Sequence, residues 1–268
     1  MDKQKIYQTL EEIFEHYKLV KQKYYYSLAD SSFQLFGDFY KYQAEELIKL
    51  ELFSKTLKLA SYDKFPEIVD DKTYKNLPAS SFEYLGITIN LPELFRGVRN
   101  LDHHANLLCD KQYHYGVGDS CSGLHTAIHF DTALQYTNKD QSCILKLKLK
   151  NANIIDDLSI TTEFAQVINN KTISDPKHSE FWKIFTTFVN NIQSETLRTE
   201  FCYFLSIDPS LIAIMLGYSA IYDHNFPAFS ILDRGSICVS QSEYNRICKL
   251  TNHSRKPDEP LEETKTIE

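Results

Sequence analysis

Three stretches of the chain carry residue types that could hold an anion or a nucleotide. The first is Phe95-Arg96-Gly97, an arginine inside a short apolar run and followed by glycine. A guanidinium forks onto phosphate or carboxylate oxygens, and a glycine beside it lets the backbone approach a ligand closely. The second runs from Gly116 to Ala127 and reads Gly-Val-Gly-Asp-Ser-Cys-Ser-Gly-Leu-His-Thr-Ala, a loop of small residues entering a strand. No Gly-Lys-Ser/Thr closes it, so it is not a Walker loop, and it leads into a strand instead of opening a helix, so it is not a Rossmann fingerprint. The third couples Gly217-Tyr218-Ser219-Ala220-Ile221 to Leu232-Asp233-Arg234-Gly235, two strands joined by a loop.

Two other constellations compete with these. His103, His104, Cys109, His114, Cys121, His125 and His129 crowd one segment with side chains that zinc favours. Their spacing lacks the close pairs of structural zinc sites, so no metal is expected and the histidines read as loop residues around a cleft. Cys121 and His125 could form a nucleophile and base, since a thiolate needs a neighbouring group to lower its pKa. Four residues along one strand span roughly 13 Å, too far for a hydrogen bond unless the loop curls back.

The order and spacing of the three stretches resemble ADP-ribosyltransferases, particularly bacterial and phage members, between Phe95 and Val239. The resemblance implies an NAD-binding fold in which Arg96 and Gly97 hold the dinucleotide. It likewise implies that Gly123, Leu124, His125 and Thr126 form the strand beneath it, with His125 against the nicotinamide and Thr126 lining the pocket. Ala133-Leu134-Gln135-Tyr136 matches the family's Ala-x-x-Tyr pair, which brings Tyr136 to the cofactor side. The implied reaction is transfer of ADP-ribose from NAD, as substrate, to a protein acceptor, in the manner of an effector or toxin. An NAD glycohydrolase would share the site, and a non-catalytic NAD-binding or protein-interaction module would keep the fold alone.

Cleavage of the nicotinamide–ribose bond builds positive charge on the sugar, so the chemistry asks for a carboxylate. Here the chain departs from the family: the place of its glutamate falls at Phe229 or a close neighbour. Asp223 is the first substitute, and with Arg96 it makes the expected catalytic pair. Asp233 and Glu243, the latter in Gln241-Ser242-Glu243, are the alternatives.

The elements that must position these residues read as follows. Ile6, Leu10, Ile13, Phe14 and Tyr17, then Phe33, Phe36, Tyr40, Ala44 and Leu47, recur at helical spacing, so residues 1 to about 60 are expected to be helical. Their lysines alternate with glutamates, which describes a solvated or partner-binding face and no membrane-binding stripe. Short apolar runs follow at Leu94 to Val98, Gly123 to Ile128, Cys143 to Leu149, Ser219 to Tyr222 and Ser230 to Val239. Helices are expected at Asp131 to Tyr136, at Ser179 to Leu205, and from Asp208-Pro209-Ser210, a cap with proline at the first position, to Gly217.

The fold class expected is α+β, a helical N-terminal region over 1–80 followed by a mixed, mainly antiparallel split sheet of ADP-ribosyltransferase type over 81–250. A polar, proline-broken tail over 251–268 is expected to be disordered. The 268 residues, 43% apolar, are enough for a real core. A net charge of −7 argues against non-specific nucleic-acid binding. With no membrane-length apolar run and no signal peptide, the chain is expected in a cytosol, its own or a host's. Of the six scattered cysteines most are expected to be reduced and buried, and the Asn170 and Asn252 glycosylation patterns are taken as chance.

Overall fold

The computed structural model describes residues 3–29, 37–62, 64–110, 115–117, 121–169, 178–224 and 228–253. The tail beyond 253, Phe33 and Phe36, the Asn170 pattern, His114, and part of the small-residue loop lie outside these.

Helix α1 (Lys3–Ala29) buries Ile6, Leu10, Ile13, Tyr17 and Val20, the face that their spacing foretells. Helix α2 (Gly37–Ala60) lies against it and buries Ile48, Leu52, Phe53 and Leu57. Both enter a single core with α6 (Asp157–Ile168), α7 (Ser179–Asn190), α8 (Glu195–Ile207) and α9 (Pro209–Met215). Phe14 packs edge-on to Phe188 and Phe201 at 5.9 and 5.1 Å. The helical region is therefore one wall of an interior to which Cys121 and residues from 155 to 232 contribute the rest.

The second core lies under a mixed sheet. Its strands are β1 (Glu67–Val69), β4 (Leu94–Gly97), β6 (Ser122–Ala127), β7 (Ile144–Leu149), β8 (Ile154–Asp156), β9 (Ala220–Asp223), β10 (Ala228–Ile231) and β11 (Ile237–Ser240). They follow the order β1-β11-β7-β4-β6-β10-β9-β8, while a short β5 (Gly116–Val117) pairs with β6 off this path. The edge pairs β1–β11 and β8–β9 are parallel, and the pairs between them are antiparallel. A separate hairpin, β2 (Ser80–Tyr84) and β3 (Ile87–Leu91), covers the core by setting Phe82 against Tyr222 and Phe229. Between these elements lie α3 (Asp71–Asn76), α4 (Asp102–Cys109) and α5 (Phe130–Leu134), and α10 (Gln241–Thr251) ends the described fold. No helix among the described residues is long and apolar enough to cross a membrane.

The α+β class and the N-terminal helices agree with the sequence, except that Leu47 of the expected apolar face is exposed while Ile48 is buried, and several other details differ. The sheet is one continuous path and not two plainly separated halves, although β4 and β6 share only the pair Phe95 and Ala127. Residues 67–69, assigned by sequence to the helical region, supply the edge strand β1. The stretch from 179 to 205 is two helices, because Ser194 caps α8 by accepting the Leu197 N–H at 3.3 Å.

The run from Ser230 to Val239 is also broken. Asp233 accepts the Gly235 N–H at 2.9 Å and turns the chain. Arg234 then ties that turn to distant backbone, donating to the Lys64 and Asp110 carbonyls at 3.2 and 2.8 Å while stacking over Phe65. The chain thereby passes from β10 beside β6 to β11 beside β7.

Candidate functional site at the junction of β4 and β6

Arg96 and His125 meet where the sheet is weakest. After the single β4–β6 pair at Phe95 and Ala127, Arg96 and Gly97 continue in register with β7 alone. Further back on β6, strand β5 pairs only with Ser122 and Gly123. His125 falls between the two pairings, and its carbonyl accepts Arg96 Nη1 at 3.4 Å, where a ladder partner would otherwise stand.

Two glycines shape this junction. A Cβ on Gly97 would come within 1.9 Å of the Ala133 carbonyl oxygen, so β4 passes against α5 only because that residue has none. The glycine singled out for ligand approach is thus explained by helix–strand contact. Gly123 has φ +145°, a conformation other residues rarely adopt, and lies against β10 at Ser230 and Ile231.

The His125 ring is open to solvent yet hemmed in by protein. Loss of hydration lowers its pKa below the usual value, and the Arg96 charge lowers it further, with Asp208 and Asp223 opposing. Across the sheet Ser230 is its register partner, and the Ser230 hydroxyl lies 3.1 Å from His125 Nδ1. The start of β6 is anchored by fully buried Asp208, which accepts the Ser122 N–H at 3.1 Å and the Ser122 hydroxyl at 2.5 Å while capping α9.

Alternation along β6 separates the other expected residues from this site. Leu124 and Thr126 point to the opposite face from His125. Leu124 is in the core beneath the sheet, and Thr126 is buried with its hydroxyl donating to the Phe229 carbonyl at 3.3 Å. The expectation that Thr126 lines a pocket beside His125 is corrected on this ground. Tyr136 projects into solvent, 62% exposed, on the short turn that follows α5.

The carboxylates are distributed as follows. Asp223 is not in a loop that can swing inward; it ends β9, buried and in register with Ala228, which in turn pairs with Ala127. Two strand spacings, roughly 10 Å, separate it from β6. Its neighbours are Asp157 and His224, and one ligand-capable atom from each of the three lies within 4.8 Å of the others. His224 Nδ1 pairs with Asp157 at 2.7 Å, and that hydrogen bond raises the histidine pKa. Asp233 holds its turn as described. Glu243 accepts the Lys146 N–H and grips Arg246 through both oxygens, each at 2.8 Å. Phe229, where the family glutamate is expected, is fully buried and edge-on to Phe82.

Among the described residues the competing constellations do not assemble. Cys121 is buried and its thiol is pushed well above the usual range by desolvation, aided by Asp208, so it is no activated nucleophile. His104 is fully buried with Nε2 on the Cys143 carbonyl at 3.0 Å, which fixes the proton on Nε2 because a carbonyl only accepts. Burial, then Arg96, lowers its pKa to about 3. His103 and His129 are exposed. In the metal-capable trio Asp223 and His224 are sequence neighbours, and Asp157 reaches them only through the parallel pairing of β8 with β9, which no local spacing signals.

Ser230 and Asp208 are the functional neighbours that sequence reasoning missed. Ser230 does show one signal, a polar residue at the centre of the apolar run Phe229 to Leu232. Comparison of the chain with models of protein families, with curated proteins and with solved structures finds no match to any of them.

Proposed function

We propose that the β4–β6 junction binds NAD and that the chain is an ADP-ribosyltransferase acting on a protein acceptor in a cytosol, its own or a host's. One observation carries this reading: Arg96 and His125, 29 residues apart, converge where two strands part, and the guanidinium already bridges to the opposite strand. In this reading the guanidinium takes the pyrophosphate through paired charge-assisted hydrogen bonds. The His125 ring, held neutral by its surroundings and oriented by Ser230, packs on the nicotinamide. The N-glycosidic bond breaks, neutral nicotinamide leaves with the bonding pair, and the acceptor nucleophile bonds to the freed ribose carbon while its proton passes to solvent. Asp223, whose charge reaches His125, supplies the negative field that steadies the developing sugar cation.

The test is incubation of the full chain with adenylate-labelled NAD, following nicotinamide release and label on protein. Wild type is expected to give both, and Arg96→Ala neither. Equal yields from the two proteins overturn the reading.

A second reading is an NAD-binding module without transfer. It is favoured by Phe229 facing the core and by Asp223 being held in a strand beside Asp157 and His224. Calorimetric heat on adding NAD, without nicotinamide release, selects it. Release without protein labelling selects a glycohydrolase.

A further inference from the structure

Away from that junction, helices α6, α7 and α8 enclose a cleft of about 600 Å³, within the size range of small-molecule sites, roughly 300–1,000 Å³. Its floor is apolar: Phe164 and Val167 from α6, Phe185 and Val189 from α7, all buried in the helical core. Ile168 and Tyr203 stand at its rim with 45% and 46% of their surface exposed and extend the apolar floor to the opening.

The wall from α8 carries Arg198 and, one turn on, Cys202. Arg198 is half-buried, and its guanidinium has no hydrogen bond or ion pair among the described residues. The nearby acids do not supply a partner: Glu200 is engaged by Lys21 and Tyr17 toward α1, and Glu195 is exposed. The Arg198 charge is directed to the cleft, where burial pushes the Cys202 thiol up to about 11 and the guanidinium only partly opposes that rise. A partly desolvated cation above an apolar floor is complementary to a molecule with a hydrocarbon body and one anionic end.

We infer that the cleft between α6, α7 and α8 binds an amphiphilic carboxylate, its acyl or aryl body on Phe164, Phe185 and Val189 and its carboxylate on Arg198. The inference is independent of the NAD reading, because no residue of the β4–β6 junction lines this cleft.

The experiment is calorimetry of the full chain with decanoate, and with decyltrimethylammonium as the matched cation, both below their micellar concentrations. Decanoate is expected to bind at least ten-fold more tightly than the cation. Arg198→Gln is expected to lower decanoate affinity about ten-fold while leaving the thermal midpoint unchanged. Decanoate is also expected to slow alkylation of Cys202 in the wild type, a readout that needs no variant. Absence of decanoate binding, equal binding of anion and cation, or unchanged affinity in Arg198→Gln each overturns the inference.

Discussion

The Ser230 hydroxyl sits 3.1 Å from Nδ1 of His125, and the two residues are direct register partners on β10 and β6. A ring that is open to solvent on one side is thereby fixed from below. Ser230→Ala removes that bond without changing the strand pairing. A hydrogen bond of this kind is worth on the order of 1 kcal/mol, so, on the proposed NAD-binding reading, NAD affinity measured by calorimetry is expected to fall several-fold. An unchanged affinity means that ring orientation is set elsewhere.

The protonation of His125 reports on Arg96 directly, whatever the ligand. Desolvation and then the guanidinium hold its pKa down. In Arg96→Ala the imidazole titration followed by NMR is expected to move upward. A midpoint that stays where it was would place the guanidinium charge farther from the ring than the 3.4 Å contact with its carbonyl indicates.

His104 governs part of the response to acid. Its pKa is about 3 in the fold, against 6.5 in an unfolded chain. Between those values the unfolded state takes up a proton that the fold refuses, so stability falls as pH drops through this window. The loss is at most about 1.4 kcal/mol per pH unit from this group. Urea midpoints of wild type are expected to decline more steeply between pH 6.5 and 4.5 than those of His104→Leu, which lacks the titrating ring.

Buried Glu163 accepts from Trp182 Nε1 and from His178 Nδ1, and His178 Nε2 lies 2.8 Å from the Tyr218 hydroxyl. The cluster joins α6 and α7 to the entry of β9. Removing the carboxylate leaves these buried donors without an acceptor, at about 1–3 kcal/mol for each group left unsatisfied. Glu163→Leu is therefore expected to lower the denaturation midpoint strongly. A change below about 1 kcal/mol would show that the cluster relaxes around the loss.

Gly97→Ala tests the junction by steric means. The added methyl meets the Ala133 carbonyl, which belongs to backbone and cannot rotate away. Strand β4 must then leave α5, and overpacking of this kind costs typically about 1–3 kcal/mol. Thermal unfolding is expected to show the loss, and crystallography of the variant a displaced Arg96.

Local signals were legible where they act within a few residues. Leu145, Leu147 and Leu149 alternate with Lys146 and Lys148, and β7 buries that leucine face. Asp208 and Pro209 announced α9, and Gly217 ended it with φ +85°. The break at Arg234 was not legible, because the carbonyls that hold its side chain come from Lys64 and Asp110. The site was half legible. Arg96 and His125 stood out by type, but that Ser230 lies under His125 depends on a strand register no local pattern encodes. Alternation alone could have excluded Thr126 from the face of its neighbour, and counting it along β6 would have done so.

The N-terminal helices bear on how this molecule can be divided. Phe14 and Tyr17 fill the same interior as Phe188 and Phe201, and the Tyr62 phenol donates to the Tyr218 carbonyl just ahead of β9. They are a wall of the house and not a porch, so a shortened chain beginning near Lys64 would turn an aromatic seam toward water. Any attempt to isolate the sheet as a portable unit must therefore carry the first sixty residues with it.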